Sequence, residues 1–364
     1  MTDLQKNVQA TLDELVESGT ERGIQVAVYR GGELVVDAAA GVADPETGRE
    51  VTSGTVFYNF SIGKGAASTV LHVLAERGLL TYDTPVADLW PEFAAHGKGN
   101  VTVRQALNHT AGVPGIPVDS TPEDVCDWDK MCAALADQEL WWEPGTQTGY
   151  HAYSFGYLVG EIVRRATGKP ISQVLREEVA EPLGIADEIY FGMPVSEHGR
   201  LAVLEDVPMT ADWAGDMPAD LPMFKAGPMA LFPSAALGNR TDVLAADIPA
   251  GGKTSARAVA RMYAALLGEV DGVRLISPER LREVSAVSFT GIDQVFGNPA
   301  TWGLGFAIGR PGSDAETTPT VFGMPGAGGS AAYADTATGI TVAVTKNKLS
   351  GDFATATRIS ELIG

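Results

Sequence analysis

The sequence predicts an α/β (α+β) protein in which an antiparallel sheet flanked by helices is built from both ends of the chain, with a mostly helical insertion between them. Three observations carry this expectation. β-rich segments fall near the start, at residues 25–29 and 34–39, and again near the end, at 302–308, 330–335 and 340–345. From residue 79 to about 194 the pattern changes to short helical stretches separated by Pro and Gly. Helical periodicity then returns at 254–267. The expected division is a sheet domain from residues 1–80 and 245–364 and a mostly helical domain from 81–244, with the functional site between them.

In chain order, residues 3–18 place Leu4, Val8, Leu12, Leu15 and Val16 on one helical face. Arg30-Gly31-Gly32-Glu33 reads as the hairpin turn joining the first two strands. Residues 41–53, carrying Asp44-Pro45-Glu46-Thr47-Gly48, are expected as a turn-rich connection to a helix that begins near Ser61 and ends at Arg77-Gly78. A helix over 102–108 is stopped by Ala111-Gly112-Val113-Pro114-Gly115, and Trp141-Trp142-Glu143-Pro144-Gly145-Thr146 marks another break. Phe155, Leu158, Val159, Ile162 and Val163 keep helical spacing up to Gly168, and 171–180 forms a further helix. Residues 201–250, rich in Pro, Ala and Met, have no period and are expected as irregular loops, some over a site. Ser255 is a candidate N-cap for the 254–267 helix, and Ser277-Pro278 starts another with proline at its first position. Residues 335–339 form a hairpin turn, and 353–362 closes the chain as a helix.

Length and composition set the class. A chain of 364 residues with 45% hydrophobic content buries a sizeable core. A net charge of −20 without any Lys/Arg run argues against nucleic acid and anionic membranes as partners. No stretch approaches transmembrane length, and the first sixteen residues lack a basic region followed by an apolar run, so a cytoplasmic protein is expected. Cys126 and Cys132 are six residues apart and support neither a disulfide framework nor a zinc site. The five histidines, at 72, 96, 109, 151 and 198, form no His-x-x-x-His pair. No metal or organic cofactor is expected, and the oligomeric state is left open.

The chemistry centres on Asn59-Phe60-Ser61-Ile62-Gly63-Lys64-Gly65. Ser61 and Lys64 stand three residues apart at a helix start, so one turn brings hydroxyl and amine to the same face. A lysine accepts the serine proton only when it is itself unprotonated, which burial among Ala66, Ala67, Val70 and Leu71 favours. The helix N-terminus also favours negative charge on an attacking oxygen.

Several stretches together resemble the serine β-lactamase-like hydrolases, a family that includes penicillin-recognising enzymes, D-amino-acid peptidases and many esterases. Phe60-Ser61-Ile62-Gly63-Lys64 is similar to the family's Ser-x-x-Lys motif. The segments 77–86, Trp90-Pro91-Glu92-Phe93 and 101–112 resemble the stretches that follow it, and Glu143-Pro144-Gly145-Thr146 the approach to the second motif. Gly149-Tyr150-His151-Ala152 is similar to the version carried by the bacterial carboxylesterase branch. The resemblance runs from about Gln25 to the C-terminus and implies a β-lactamase/transpeptidase-like fold. It further implies Ser61 as nucleophile, Lys64 as base and Tyr150 as its partner in proton transfer. The amides of Ser61 and Ala327 would form the oxyanion hole, with His151, Trp302, Met324, Pro325 and Gly326 as substrate-binding residues.

Two departures shape the expected substrate. Ala152 stands where β-lactamases carry an amide, and Met324 where a Lys or His is usual in the third motif, so small uncharged esters are expected and penicillins disfavoured. An acyltransferase using the same acyl-enzyme, a β-lactamase or D-amino-acid peptidase, and a non-catalytic binding relative are the alternatives. Ala152-Tyr153-Ser154-Phe155-Gly156 misses a Gly-x-Ser-x-Gly elbow by one residue and has no strand before it. Gly326-Ala327-Gly328-Gly329-Ser330-Ala331 leads into a hairpin, not a helix, which argues against a dinucleotide site.

Overall fold

The computed structural model describes residues 3–207, 218 and 220–364. Its backbone is a nine-stranded sheet in which every pairing is antiparallel. The strands run in the order Arg49–Glu50, Glu33–Asp44, Gly23–Arg30, Ile340–Lys346, Ala331–Asp335, Val321–Pro325, Ala307–Ile308, Pro299–Trp302, Phe289–Ile292. The junction of the two chain ends is the pairing of Gly23–Arg30 with Ile340–Lys346, from Ile24 opposite Lys346 to Arg30 opposite Ile340. Both strands are covered on both faces, which is why they read as near-continuous runs of Val, Ile, Ala and Thr.

Each face of the sheet has its own layer. Val26, Val28, Val36, Val342 and Val344 pack under the terminal helices Asp3–Glu17 and Ala354–Ile363. Ala27, Tyr29, Phe322 and Ala343 face the helices Ala256–Leu267 and Ile62–Glu76, in an apolar cluster that continues into residues 81–204. Between residues 81 and 207 the described elements are short helices and two strands of two residues each. Ser255 caps the Ala256–Leu267 helix by accepting from the Ala258 N–H, as its position in the sequence suggests.

Five points of the sequence reading need correction. The 41–53 connection is partly sheet, because the second strand continues to Asp44 and folds back on Arg49–Glu50. Residues 302–308 are two strands separated by a turn in which Gly303 N–H donates to Phe306 O, with Gly305 at φ +82°. The strand Val321–Pro325 was hidden by its Gly and Pro, which weaken any strand pattern. Gly323 is required there, since a Cβ would lie 2.2 Å from Ala332 O. Phe289–Ile292 is a half-exposed edge strand with little apolar signal. The irregular segment contains short helices at Pro222–Ala226, Ala235–Gly238 and Thr241–Ala245, and its residues 208–217 and 219 lie outside the described residues.

A second, three-stranded ribbon of Phe57–Tyr58, Lys253–Thr254 and Ile189–Tyr190 delivers the chain to Ser61. Asn59 N–H donates to Gly252 O at 2.7 Å and Asn59 Nδ2 to Thr254 Oγ1 at 2.8 Å, so the residues before the serine are tied to the ribbon. Phe60 then turns sharply at φ +46°, a left-handed conformation that costs a bulky residue about 1–3 kcal/mol. Its ring stacks on Tyr58 at 4.5 Å, which helps to hold it there.

Candidate active site

Ser61 immediately precedes the helix Ile62–Glu76, and Lys64 lies one turn in, with Nζ 3.1 Å from Ser61 Oγ. Gly63 makes the burial of this turn feasible, because a Cβ there would lie 2.3 Å from Gly252 N. Lys64 is 1% exposed, and desolvation is the cause that pulls its amine down to about 7. Near neutrality a large fraction is therefore uncharged and can accept the Ser61 proton.

Tyr150 completes the cluster. Its ring centroid is 4.7 Å from Lys64 Nζ, and the Ser61 side chain is near enough to offset part of the effect of burial on its phenol. Burial pushes the phenol well above its ordinary value, so it stays protonated and able to donate. The ring stacks on Trp302 at 5.9 Å and lies 5.1 Å from the His109 ring. The Tyr150 N–H donates to Asp293 Oδ2 at 2.9 Å.

The third stretch approaches Ser61 through Gly326. A Cβ on Gly326 would lie 2.3 Å from Asn59 O, so only glycine lets the turn close against the segment before the serine. Gly326 N–H donates to Ser330 O at 2.8 Å, which shapes the turn that presents Ala327. Among the described residues, neither the Ser61 N–H nor the Ala327 N–H has a protein acceptor. Both residues border the same cavity.

That cavity measures about 510 Å³. Of the residues anticipated from the sequence, it is lined by Ser61, Tyr150, Trp302, Pro325, Gly326 and Ala327. The anticipated Ala152 also borders it. Apolar walls come from Phe60, Tyr153, Leu231, Phe232, Val295 and Phe296, and among its described lining residues Asp293 is the only charged one.

Two sequence expectations are corrected. Met324 is not among the lining residues, because strand alternation sets it on the Phe322 side, 3.6 Å (at Cγ) from where a side chain on Gly65 would begin. It is 2% exposed and borders a smaller depression with Arg310. His151 is fully buried in the loops: its Nδ1 is 2.7 Å from Gly149 O, and Val113 N–H donates to Nε2 at 3.3 Å. Burial pulls its imidazole down to about 4, so it is a neutral brace. His109 Nδ1 accepts from His151 N–H at 3.1 Å in the same network. Sequence reasoning missed Asp293, Val295, Phe296, Leu231 and Phe232. They sit in loops or, for Leu231, in a single helical turn, without a periodic signal, and the turn-forming Gly297-Asn298-Pro299 is the one local cue.

Among the described residues, no group of three or more His, Cys, Asp or Glu could hold a metal, and no helix is long and apolar enough to cross a membrane.

Comparison with known proteins identifies the family. The beta-lactamase family model matches residues 8–363. Esterase/beta-lactamase LipL of Mycobacterium tuberculosis is 33% identical over 341 residues, covering 90% of this chain and 77% of that protein. A family VIII carboxylesterase crystal structure superposes with a TM-score of 0.88 at 34% identity, covering 99% of this chain and 97% of the other. A penicillin-binding protein homologue from Caulobacter crescentus gives 0.84 at 34% identity, covering 100% and 96%. With a family match along nearly its whole length and Ser61 and Lys64 set side by side at a cavity, this chain belongs to the beta-lactamase family of serine hydrolases.

Proposed function

We propose that this protein is a carboxylesterase that cleaves small uncharged esters through an acyl-enzyme on Ser61. The observation that carries the reading is a hydroxyl 3.1 Å from an amine lowered to about 7, opening onto an apolar cavity whose described lining has no cation. Ser61 Oγ attacks the ester carbonyl carbon while neutral Lys64 takes its proton. The oxygen of the tetrahedral intermediate is held by the Ser61 and Ala327 N–H groups. The C–O bond to the alcohol breaks, and the leaving alkoxide takes a proton from Tyr150, which is restored from Lys64. Water then attacks the acyl carbon while neutral Lys64 takes one of its protons, the bond from the acyl carbon to Ser61 Oγ breaks, and that oxygen receives the proton, which releases the carboxylic acid and free Ser61.

The substrate class follows from the walls. An acyl chain gains about 25 cal/mol for each Å² of apolar surface that it buries there. A carboxylate on the substrate would meet Asp293 without any compensating cation among the described lining residues, which disfavours β-lactams and peptide C-termini. The relatives named as esterases support the same reading.

The test is intact-protein mass after brief exposure to a p-nitrophenyl short-chain ester, with Ser61→Ala in parallel and nitrophenol release followed. An acyl adduct or burst in the native chain alone is expected. Turnover surviving in Ser61→Ala would sink the mechanism, and added alcohols or amines would report transfer in place of hydrolysis.

A further inference from the structure

The turn that follows the edge strand Phe289–Ile292 is docked along the Tyr150 segment. Gln294 N–H donates to Thr148 O at 2.8 Å, and Asp293 N–H to Asn298 O at 2.9 Å. Within this turn Asp293 is 3% exposed. Its Oδ1 accepts from the N–H groups of Val295 at 2.8 Å and Phe296 at 2.9 Å, while Oδ2 accepts from Tyr150 N–H at 2.9 Å. Among the described residues no Lys, Arg or His forms an ion pair with it, and burial pushes its carboxyl upward.

An unpaired buried carboxylate is costly, and a turn of this kind needs only one acceptor oxygen. Asparagine would satisfy Val295 and Phe296 equally well. It would, however, aim an NH2 at the Tyr150 N–H, donor against donor. The second oxygen and the charge therefore serve Tyr150.

We infer that Asp293 is a positioning residue that fixes Tyr150 against Ser61, through the Tyr150 main chain and through its own negative charge. Two other titratable groups face the Tyr150 ring, Lys64 from the nucleophile helix and His109 from the loops, and His151 packs behind on His109. Both histidines are held neutral by burial, which leaves Lys64 and Asp293 as the groups able to bias the phenol. Burial chiefly, and repulsion from Asp293 in addition, disfavour the phenolate and keep Tyr150 protonated until the alkoxide leaves. This inference rests on the catalytic reading of Tyr150.

The experiment compares Asp293→Asn with Tyr150→Phe in steady-state hydrolysis of p-nitrophenyl butyrate across pH. Asp293→Asn is expected to lower kcat about 30-fold with KM within about threefold. A cavity-wall role would instead raise KM and leave kcat in place, and this result would overturn the inference. So would kcat within twofold of native while Tyr150→Phe is impaired. Unimpaired Tyr150→Phe would overturn the catalytic reading itself, and the inference with it. Should Asp293→Asn fail to fold, hydrogen exchange at the Tyr150 amide of the native chain decides: strong protection supports the bond to Asp293, and rapid exchange overturns it.

Discussion

Lys64 and Lys253 are buried alike, at 1% and 0% exposed, and desolvation pulls both amines down to about 7. Their surroundings differ. Lys253, in the ribbon that leads to the serine, donates to the carbonyls of Phe191 and Val243 and lies over the Tyr58 ring at 4.9 Å, with Asp247 favouring its charged form. Lys64 has a serine hydroxyl at 3.1 Å, and desolvation alone accounts for its lowered pKa. A lysine saturated by carbonyl acceptors is a structural tie, whereas one facing a hydroxyl at a cavity is equipped as a base. A perturbed amine by itself distinguishes neither role.

Paired substitution tests this contrast most strongly. Lys64→Met is expected to lower kcat about 1,000-fold while the fold persists. Lys253→Met should keep kcat of the folded protein within about twofold and cost about 2 kcal/mol of stability, by stranding buried carbonyls. Kinetics and thermal melts read the two, and equal losses of activity would erase the distinction.

Tyr150→Phe sharpens the assignment on the Lys64 side. It keeps the stacking on Trp302 but removes the phenol, and kcat should fall about 100-fold with little change in KM. Gly326→Ala probes the wall opposite the serine. The added methyl would meet Asn59 O at 2.3 Å and displace Ala327, so a fall in kcat of about 50-fold is expected.

The pH profile separates the two lysines with a smaller effect. An amine lowered from 10.5 to about 7 is mostly neutral above that pH and protonated below it. Since the base must be unprotonated, kcat/KM should fall about tenfold for each pH unit below the limb. Lys253→Met should leave the limb where it is, and a limb that moved with this variant would assign the titration to the wrong lysine. Met324→His is the smallest: because Met324 faces the Gly65 side of the helix, no gain in affinity for carboxylate-bearing esters is expected in competition assays.

Motifs made of neighbours in sequence were readable. Ser61 and Lys64 lie one helical turn apart. The sheet joining both chain ends was also readable, since strands covered on both faces are continuous apolar runs. Val321–Pro325 was not, because Gly323 and Pro325 weaken its strand pattern, although the strands it pairs with, Ala307–Ile308 and Ala331–Asp335, are its neighbours in the chain. Met324 shows another limit at one residue: a motif position names a side chain, but strand alternation decides which face receives it. His151 was misplaced in the cavity because its two ring nitrogens are engaged by loops that only the fold brings together.

The sequence by itself determined the family, the fold class and the hydroxyl–amine pair, all of which rest on local spacing and on the apolar pattern. Tertiary structure alone decided that Lys253 is buried as well and tied to carbonyls, which walls enclose the cavity, and that Asp293, 143 residues from Tyr150, lies against it. The reason is physical: desolvation, hydrogen-bond acceptors and cavity walls are supplied by residues far apart in the chain, and no local pattern encodes their meeting.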